Sequence, residues 1–162
     1  MELETLSEQV GEILLVRHLM LVTAESCTGG WVAQTITARS GSSQWFERGF
    51  VTYSNAAKME LLGVQSATLE RHGAVSEETV REMAEGALTH SHAQIAVAVS
   101  GIAGPGGGSL EKPVGTVCLA WAGTGSATRA RRVQFSGNRE AVRLQAVTTA
   151  LQGILDFLHD ES

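Results

Sequence analysis

The hydrophobic and polar positions along the chain alternate between the helical period of about 3.6 residues and the strand period of two. Residues 3–18 carry apolar side chains at helical spacing, which predicts a first amphipathic helix, and residues 20–24 predict a short buried strand. The run at 95–99 is apolar throughout, which is typical of a central strand covered on both faces. The same patterns predict helices at 28–39, 55–62, 77–90 and 139–158, a short helical piece ending at His72, and strands at 46–53, 114–122 and 128–135.

Strands therefore alternate with helices, and the last two strands form a predicted hairpin across residues 123–126. No internal repeat, linker or low-complexity segment interrupts the pattern. This order predicts an α/β fold in which a mixed sheet of about five strands lies between helical layers. We expect one domain spanning residues 1–162.

Composition and charge exclude several classes of protein. With 43% hydrophobic residues and no apolar run near the roughly 20 residues of a membrane span, no membrane association is expected. A net charge of −5 argues against a nucleic-acid backbone as the main partner, although a single phosphate could still bind in a pocket. The first 13 residues hold four glutamates and no basic residue, unlike a secretory leader, so a cytoplasmic location is expected.

The first candidate for chemistry is the turn around Ser26, between a buried strand and a helix. Amides at a helix N-terminus lack intrahelical partners and favour an anion, so a nucleophile there could carry out acyl transfer. Ser26 and Thr28 could equally be helix caps, with Gly29 and Gly30 serving only packing. The lipase-type G-x-S-x-G motif is absent. Cys27 is a rival nucleophile, since a thiol at a helix N-terminus can have a lowered pKa.

A second candidate segment joins the end of a predicted strand to a helix and contains Tyr53 and Lys58. Lysine acts as a general base only when burial or a neighbouring cation lowers its pKa. Apolar neighbours of Lys58 make partial burial credible, although a solvated lysine and a core tyrosine are the alternatives. No Ser-His-Asp arrangement can be argued from the histidine positions, which favours a lysine base.

A third candidate is the glycine-rich segment 100–109, which follows the best predicted strand and includes Ser100, Gly101 and Gly104. Its glycines could let backbone amides approach an anion, although a flexible surface loop is the alternative. Arg139, at the start of the last helix, is the best arginine for holding a phosphate. His90 and His92 have metal-ligand spacing but no acidic residues beside them, so we expect neither a metal nor another cofactor.

Five segments together resemble the CinA C-terminal domain family. They are AESCTGG at 24–30, GFVTYSN at 49–55 with Lys58, HGAVS at 72–76, SGIAGP at 100–105 and KPVGTV at 112–117. They occur in the family's order across residues 23–117. The resemblance implies a three-layer α/β/α sandwich with a mixed, mainly parallel sheet. The chain looks like the stand-alone form of the family, which lacks a large N-terminal domain and is often dimeric, so a homodimer is expected.

That family includes nicotinamide-nucleotide amidases of pyridine nucleotide salvage, so the resemblance implies hydrolysis of nicotinamide mononucleotide to nicotinate mononucleotide and ammonia. It implies Ser26 as nucleophile, with Lys58 and Tyr53 as proton-transfer partners. In this mechanism neutral Lys58, directly or through Tyr53, deprotonates Ser26, and amides near residues 28–30 hold the oxyanion. The alternatives are a non-catalytic module that binds a nucleotide or a protein, and an amidase for another small amide.

Overall fold

The computed structural model describes residues 2–160 as a five-stranded sheet with helices on both faces. The strands are β1 (Leu21–Glu25), β2 (Phe46–Val51), β3 (Ile95–Gly101), β4 (Thr116–Gly123) and β5 (Arg129–Gln134). The α-helices are α1 (Glu2–Arg17), α2 (Trp31–Thr37), α3 (Asn55–Leu62), α4 (Ser66–His72), α5 (Glu77–Thr89) and α6 (Arg139–Asp160). A short 3₁₀ helix, Ser42–Gln44, lies between α2 and β2.

The strand order is β2-β1-β3-β4-β5. Strand β1 pairs in parallel with both β2 and β3, whereas β4 runs antiparallel between β3 and β5. Four of the five strands therefore point in one direction, which confirms a mixed, mainly parallel sheet. The connection from β1 to β2, through α2, lies on one face of the sheet, and the connection from β2 to β3, through α3 and α5, lies on the other. Ligands of open α/β sheets bind outside the carboxyl ends of the strands at such a switch point.

The three predicted layers are confirmed by the two faces of β3. Val97 and Val99 pack into a hydrophobic core shared with α1, α2 and α6. Ala96 and Ala98 pack on the other face, in a core to which α3 and α5 contribute. Because side chains alternate across a strand, the unbroken apolar run of β3 serves both layers at once.

Helix α3 has the bounds that the sequence predicted, since Ser54 Oγ accepts the Ala57 amide at its start and Gly63 has a left-handed φ of 70° at its end. Helix α2 does not begin at residue 28 as predicted. Residues 26–30 instead form a turn in which Gly29 and Gly30 have φ values of 58° and 103°, outside the helical region. Within residues 2–160, no helix has the combined length and apolarity needed to cross a bilayer.

Candidate active site

The carboxyl ends of β1, β2 and β3 meet at one edge of the sheet and surround a cavity of about 200 Å³. Glu25, the last residue of β1, pairs with Val51 of β2 on one side and with Val99 of β3 on the other. The segments that follow these three strands therefore converge. The cavity is lined by Ser26, Cys27, Tyr53, Asn55, Lys58, Ala74, Val75, Ser100, Gly101, Ala103 and Arg139. Five segments separated in sequence thus form one site.

Lys58 and Ser26 are in direct contact inside this cavity. Lys58 Nζ donates hydrogen bonds to Ser26 Oγ at 3.1 Å and to the Thr52 carbonyl at 2.9 Å. Only 1% of the Lys58 side chain is exposed, and this burial lowers the pKa of its amine below the usual lysine value. A larger fraction of the amine is therefore neutral near pH 8 than in a solvated lysine, and a neutral amine can accept the Ser26 proton.

The turn that carries Ser26 is braced by the carboxylate of Glu25. Its oxygens accept hydrogen bonds from Thr28 Oγ1 at 2.5 Å and from the amides of Val32 and Ala33 at 2.9 and 3.0 Å. Glu25 is buried, so this carboxylate acts as an internal cap on the N-terminus of α2. The amides that Glu25 occupies, those of Val32 and Ala33, are not the amides of residues 28–30 near which an oxyanion was predicted to bind.

Within the turn, the Gly29 amide donates to the Ser26 carbonyl at 3.0 Å. Within residues 2–160, the amides of Cys27, Thr28 and Gly30 donate no hydrogen bond to another residue. Thr28 is fully buried with its hydroxyl bound to Glu25, and Gly29 and Gly30 do not line the cavity. The substrate contacts predicted for residues 28–30 therefore remain predictions, and backbone amides are the groups that could make them.

Arg143 of α6 also holds this turn, and the sequence analysis missed it. Its Nε donates to the Cys27 carbonyl and its Nη2 to the Thr28 carbonyl, each at 3.1 Å. The guanidinium carbon lies 5.5 Å from the centroid of the Trp31 ring, within the range of a cation–π contact. A sequence signal was present, because Arg143 lies four residues after Arg139 and hence on the same helix face.

Tyr53 lies at the rim of the cavity, 62% exposed, with its hydroxyl oxygen accepting a hydrogen bond from Arg139 Nη2 at 3.1 Å. Arg139 Nη1 donates to the Gly104 carbonyl at 2.8 Å, so this guanidinium joins the segment after β2 to the glycine-rich loop. In the described chain, Tyr53 makes no hydrogen bond to Ser26 or Lys58. The predicted proton-transfer role of Tyr53 therefore remains a prediction.

Of the glycine-rich segment, Ser100 and Gly101, the last two residues of β3, line the cavity wall, whereas Gly104 in the loop that follows lies outside it. A Cβ on Gly101 would lie 2.7 Å from Val117 Cγ2, and one on Gly104 would lie 2.5 Å from Val114 Cγ1. Close packing within the chain thus explains why glycine occupies both positions. Substrate contact by this loop stays a prediction.

The rival nucleophile, Cys27, lies on the same turn and is buried. Burial is the main influence on its thiol and raises its pKa to about 11, although the nearby Arg143 charge opposes part of that effect. At neutral pH the side chain is accordingly a protonated thiol, a far weaker nucleophile than a thiolate. This protonation state favours Ser26.

The model of the CinA C-terminal domain family matches residues 3–158. The chain belongs to the CinA C-terminal domain family. It is 60% identical to the nicotinamide-nucleotide amidohydrolase PncC of Escherichia coli strain K12, over 93% of this chain and 92% of that protein. The corresponding protein of Pseudomonas putida is 54% identical over 94% and 95% of the two chains.

Longer CinA relatives also match. A putative competence-damage inducible protein of Symbiobacterium thermophilum is 53% identical over 96% of this chain but only 38% of its own length. Among solved structures, the competence/damage inducible protein CihA from Agrobacterium tumefaciens superposes with a TM-score of 0.94 at 45% identity, covering 96% of this chain and 95% of that one. The chain thus has the same fold as that crystal structure.

The CinA domain brings six of its ten predicted site residues together around the cavity: Ser26, Tyr53, Lys58, Ser100, Gly101 and Arg139. The other four predicted residues do not line the cavity: Thr28, Gly29, Gly30 and Gly104. Sequence reasoning missed Asn55 and Val75 of the cavity wall, although both lie in segments that carry the family resemblance.

Proposed function

We propose that this CinA domain hydrolyses the carboxamide of nicotinamide mononucleotide, giving nicotinate mononucleotide and ammonia through a serine acyl-enzyme. The observation that carries the proposal is the 3.1 Å contact between Ser26 Oγ and buried Lys58 Nζ. A serine beside a base with a depressed pKa is an activated nucleophile. The names of the E. coli and P. putida relatives support this choice of substrate.

In the acylation step, neutral Lys58 takes the proton of Ser26 Oγ while that oxygen forms a bond to the carboxamide carbon. The resulting oxyanion is stabilised by the amides of Cys27 and Thr28, which donate no hydrogen bond to another residue of the described chain. The Lys58 ammonium then gives its proton to the amide nitrogen. The carbon–nitrogen bond breaks and ammonia leaves.

In the second step, Lys58 takes a proton from a water molecule whose oxygen attacks the acyl carbon. The ester bond to Ser26 breaks, and the proton held by Lys58 returns to Ser26 Oγ. The product is a carboxylic acid, and Lys58 is neutral again. Because Lys58 contacts Ser26 directly, no relay through Tyr53 is required.

The nucleotide extends from the cavity, since about 200 Å³ is below the roughly 300–1,000 Å³ of pockets that enclose a drug-sized ligand. We place the carboxamide and pyridine ring inside, near Ser26 and Ser100. The ribose phosphate then lies at the rim, where Arg139 and the glycine-rich loop are the candidate contacts. The small cavity also favours a second candidate function, hydrolysis of another small amide.

Ammonia release separates these possibilities. Wild type should release ammonia from nicotinamide mononucleotide, Ser26→Ala should release none, and Cys27→Ala should retain most of the activity. Faster release from free nicotinamide than from the mononucleotide would favour the small-amide function. Tight binding of the mononucleotide by calorimetry, without turnover at any pH, would instead indicate a binding module.

We also propose that the protein acts in pyridine nucleotide salvage in the cytoplasm, as a homodimer. The salvage role follows from the proposed reaction, which returns an amidated nucleotide to its acid form. The dimer is an expectation from the family resemblance. Light scattering coupled to size-exclusion chromatography would check it, and a mass near 17.1 kDa would contradict it.

A further inference from the structure

We infer that Arg143 is a positioning residue that fixes the turn at residues 26–30, which carries Ser26. By doing so it orients the amides of Cys27 and Thr28, which would receive the oxyanion. This inference rests on the proposed function, because it assigns Ser26 as the nucleophile. Arg143 does not line the cavity, so it acts through the backbone of the turn. Its guanidinium reaches two successive carbonyls, those of Cys27 and Thr28.

The guanidinium group suits this task because its N–H donors are held in one rigid plane. Nε and Nη2 donate to the two carbonyls at the same distance, 3.1 Å, so both peptide planes are fixed by one side chain. A lysine ammonium is a single point of charge on a flexible stem, without this paired, planar arrangement of donors. The two contacts therefore require arginine rather than only a positive charge.

Peptide planarity carries the effect to the oxyanion site. In a trans peptide the N–H points away from the C=O of the same unit. When Arg143 holds the Cys27 carbonyl, the Thr28 N–H of that unit is directed to the opposite side. When it holds the Thr28 carbonyl, it fixes the unit whose N–H, at Gly29, donates to the Ser26 carbonyl.

That last hydrogen bond orients the peptide between Ser26 and Cys27, and with it the Cys27 N–H. The amides of Cys27 and Thr28 are thus oriented through Arg143. The arginine itself is held by its cation–π contact with Trp31 and by α6, whose neighbouring Val142 and Ala146 are fully buried. Glu25 braces the same turn through Thr28 Oγ1.

The test compares Arg143→Ala and Arg143→Lys with wild type in ammonia release from nicotinamide mononucleotide. Misplacing catalytic groups by about 1 Å can cost roughly 10²-fold in rate, so we expect kcat of Arg143→Ala to fall by about that factor. KM should change by less than about threefold, because only the transition state uses the amides. Arg143→Lys should recover only a small part of the loss.

Added guanidinium, well below denaturing concentrations, should restore activity to Arg143→Ala, whereas equal ammonium should not. Arg131→Ala is the matched control, since Arg131 is an exposed arginine of β5 outside the cavity. Its kinetics should equal those of wild type with or without guanidinium. Thermal unfolding of each variant checks the fold, and rescue by guanidinium cannot come from an unfolded protein.

A second readout does not depend on the proposed substrate. Diisopropyl fluorophosphate forms a bond from phosphorus to Ser26 Oγ with loss of fluoride, and intact mass measures the rate. We expect slower labelling of Arg143→Ala than of wild type, and recovery with guanidinium. Equal labelling and equal kcat in the two proteins would overturn the inference, as would full recovery in Arg143→Lys. Labelling that depends on Arg143 without ammonia release would overturn only the proposed substrate.

Discussion

Lys58 Nζ lies 3.1 Å from Ser26 Oγ, and its other hydrogen bond, to the Thr52 carbonyl, is also to a neutral group. No carboxylate forms an ion pair with Lys58 anywhere in residues 2–160. The cost of burying its ammonium is therefore not offset by an opposite charge, and the neutral amine is favoured. The pair combines a serine hydroxyl with a base that can take its proton.

The pH dependence of kcat/KM should follow from this burial. Protonated Lys58 cannot accept the Ser26 proton, so activity falls as pH drops through the lysine pKa of the free enzyme. That pKa is lowered by burial, so the acidic limb should lie below the ordinary lysine value of about 10.4. A profile with no such limb, or with its midpoint near 10.4, would contradict the assignment of Lys58 as the base.

The burial of Lys58 should also make the free energy of unfolding depend on pH. Because the pKa of Lys58 is lower in the folded state, the unfolded protein binds more protons between that pKa and about 10.4. The contribution of Lys58 to the free energy of unfolding therefore rises with pH through this window and falls again on acidification. Lys58→Met removes that contribution.

We expect Lys58→Met to be inactive yet more stable than wild type at pH 7, by about 1 kcal/mol, as is common when a buried functional group is replaced by an apolar side chain. Urea unfolding at several pH values measures both proteins. Their difference should shrink as pH rises toward 10. A difference that is independent of pH would show that Lys58 carries no depressed pKa in the folded protein.

Tyr53→Phe tests whether the hydroxyl at the rim takes part in proton transfer. It removes the oxygen that accepts from Arg139 Nη2 and leaves the contact between Lys58 and Ser26 in place. We expect KM for nicotinamide mononucleotide to rise and kcat to change by less than about tenfold. A loss of kcat as large as that of Ser26→Ala, with KM unchanged, would assign Tyr53 to the proton relay.

Glu25→Gln should destabilise the fold. The carboxylate accepts three hydrogen bonds in a buried site, and hydrogen bonds to charged groups contribute about 1.5–3 kcal/mol each. Because the amide retains only one acceptor oxygen, we expect the free energy of unfolding to fall by about 2 kcal/mol in urea titrations. Glu12→Gln, at an exposed position of α1, is the control and should have no measurable effect.

Gly104→Ala should disturb the loop that Arg139 contacts. The new Cβ would lie 2.5 Å from Val114 Cγ1, at a residue whose φ of 85° is unfavourable for alanine. We expect a loss of about 1–2 kcal/mol in unfolding free energy. Gly106→Ala is a control in the same loop, because its Cβ would meet no atom within 4 Å and its φ is not positive. Equal effects of the two substitutions would contradict this packing argument.

Hydrophobic periodicity was enough to predict the sheet, its helical layers and the segments that carry Ser26 and Lys58. Those features depend on local patterns and on the rule that ligands bind at the carboxyl ends of strands. The brace from Arg143 could not be predicted in the same way, since it joins residues 116 positions apart. Nor could the role of Glu25, because a glutamate beside a serine gives no sign in sequence that its carboxylate turns inward to cap α2.

The Ser26–Lys58 pair is held by a backbone carbonyl and by burial, and no residue at the rim of the cavity bonds to Lys58 among the described residues. The rim residues that would select the substrate are therefore different from the residues proposed to react with it. Redesign for a different amide would change exposed wall positions such as Tyr53 and Asn55 and leave the nucleophile, its base and their supports untouched. If Ser26 and Lys58 act as proposed, the choice of amide can therefore be altered at the outer edge of the cavity without changing the reacting groups.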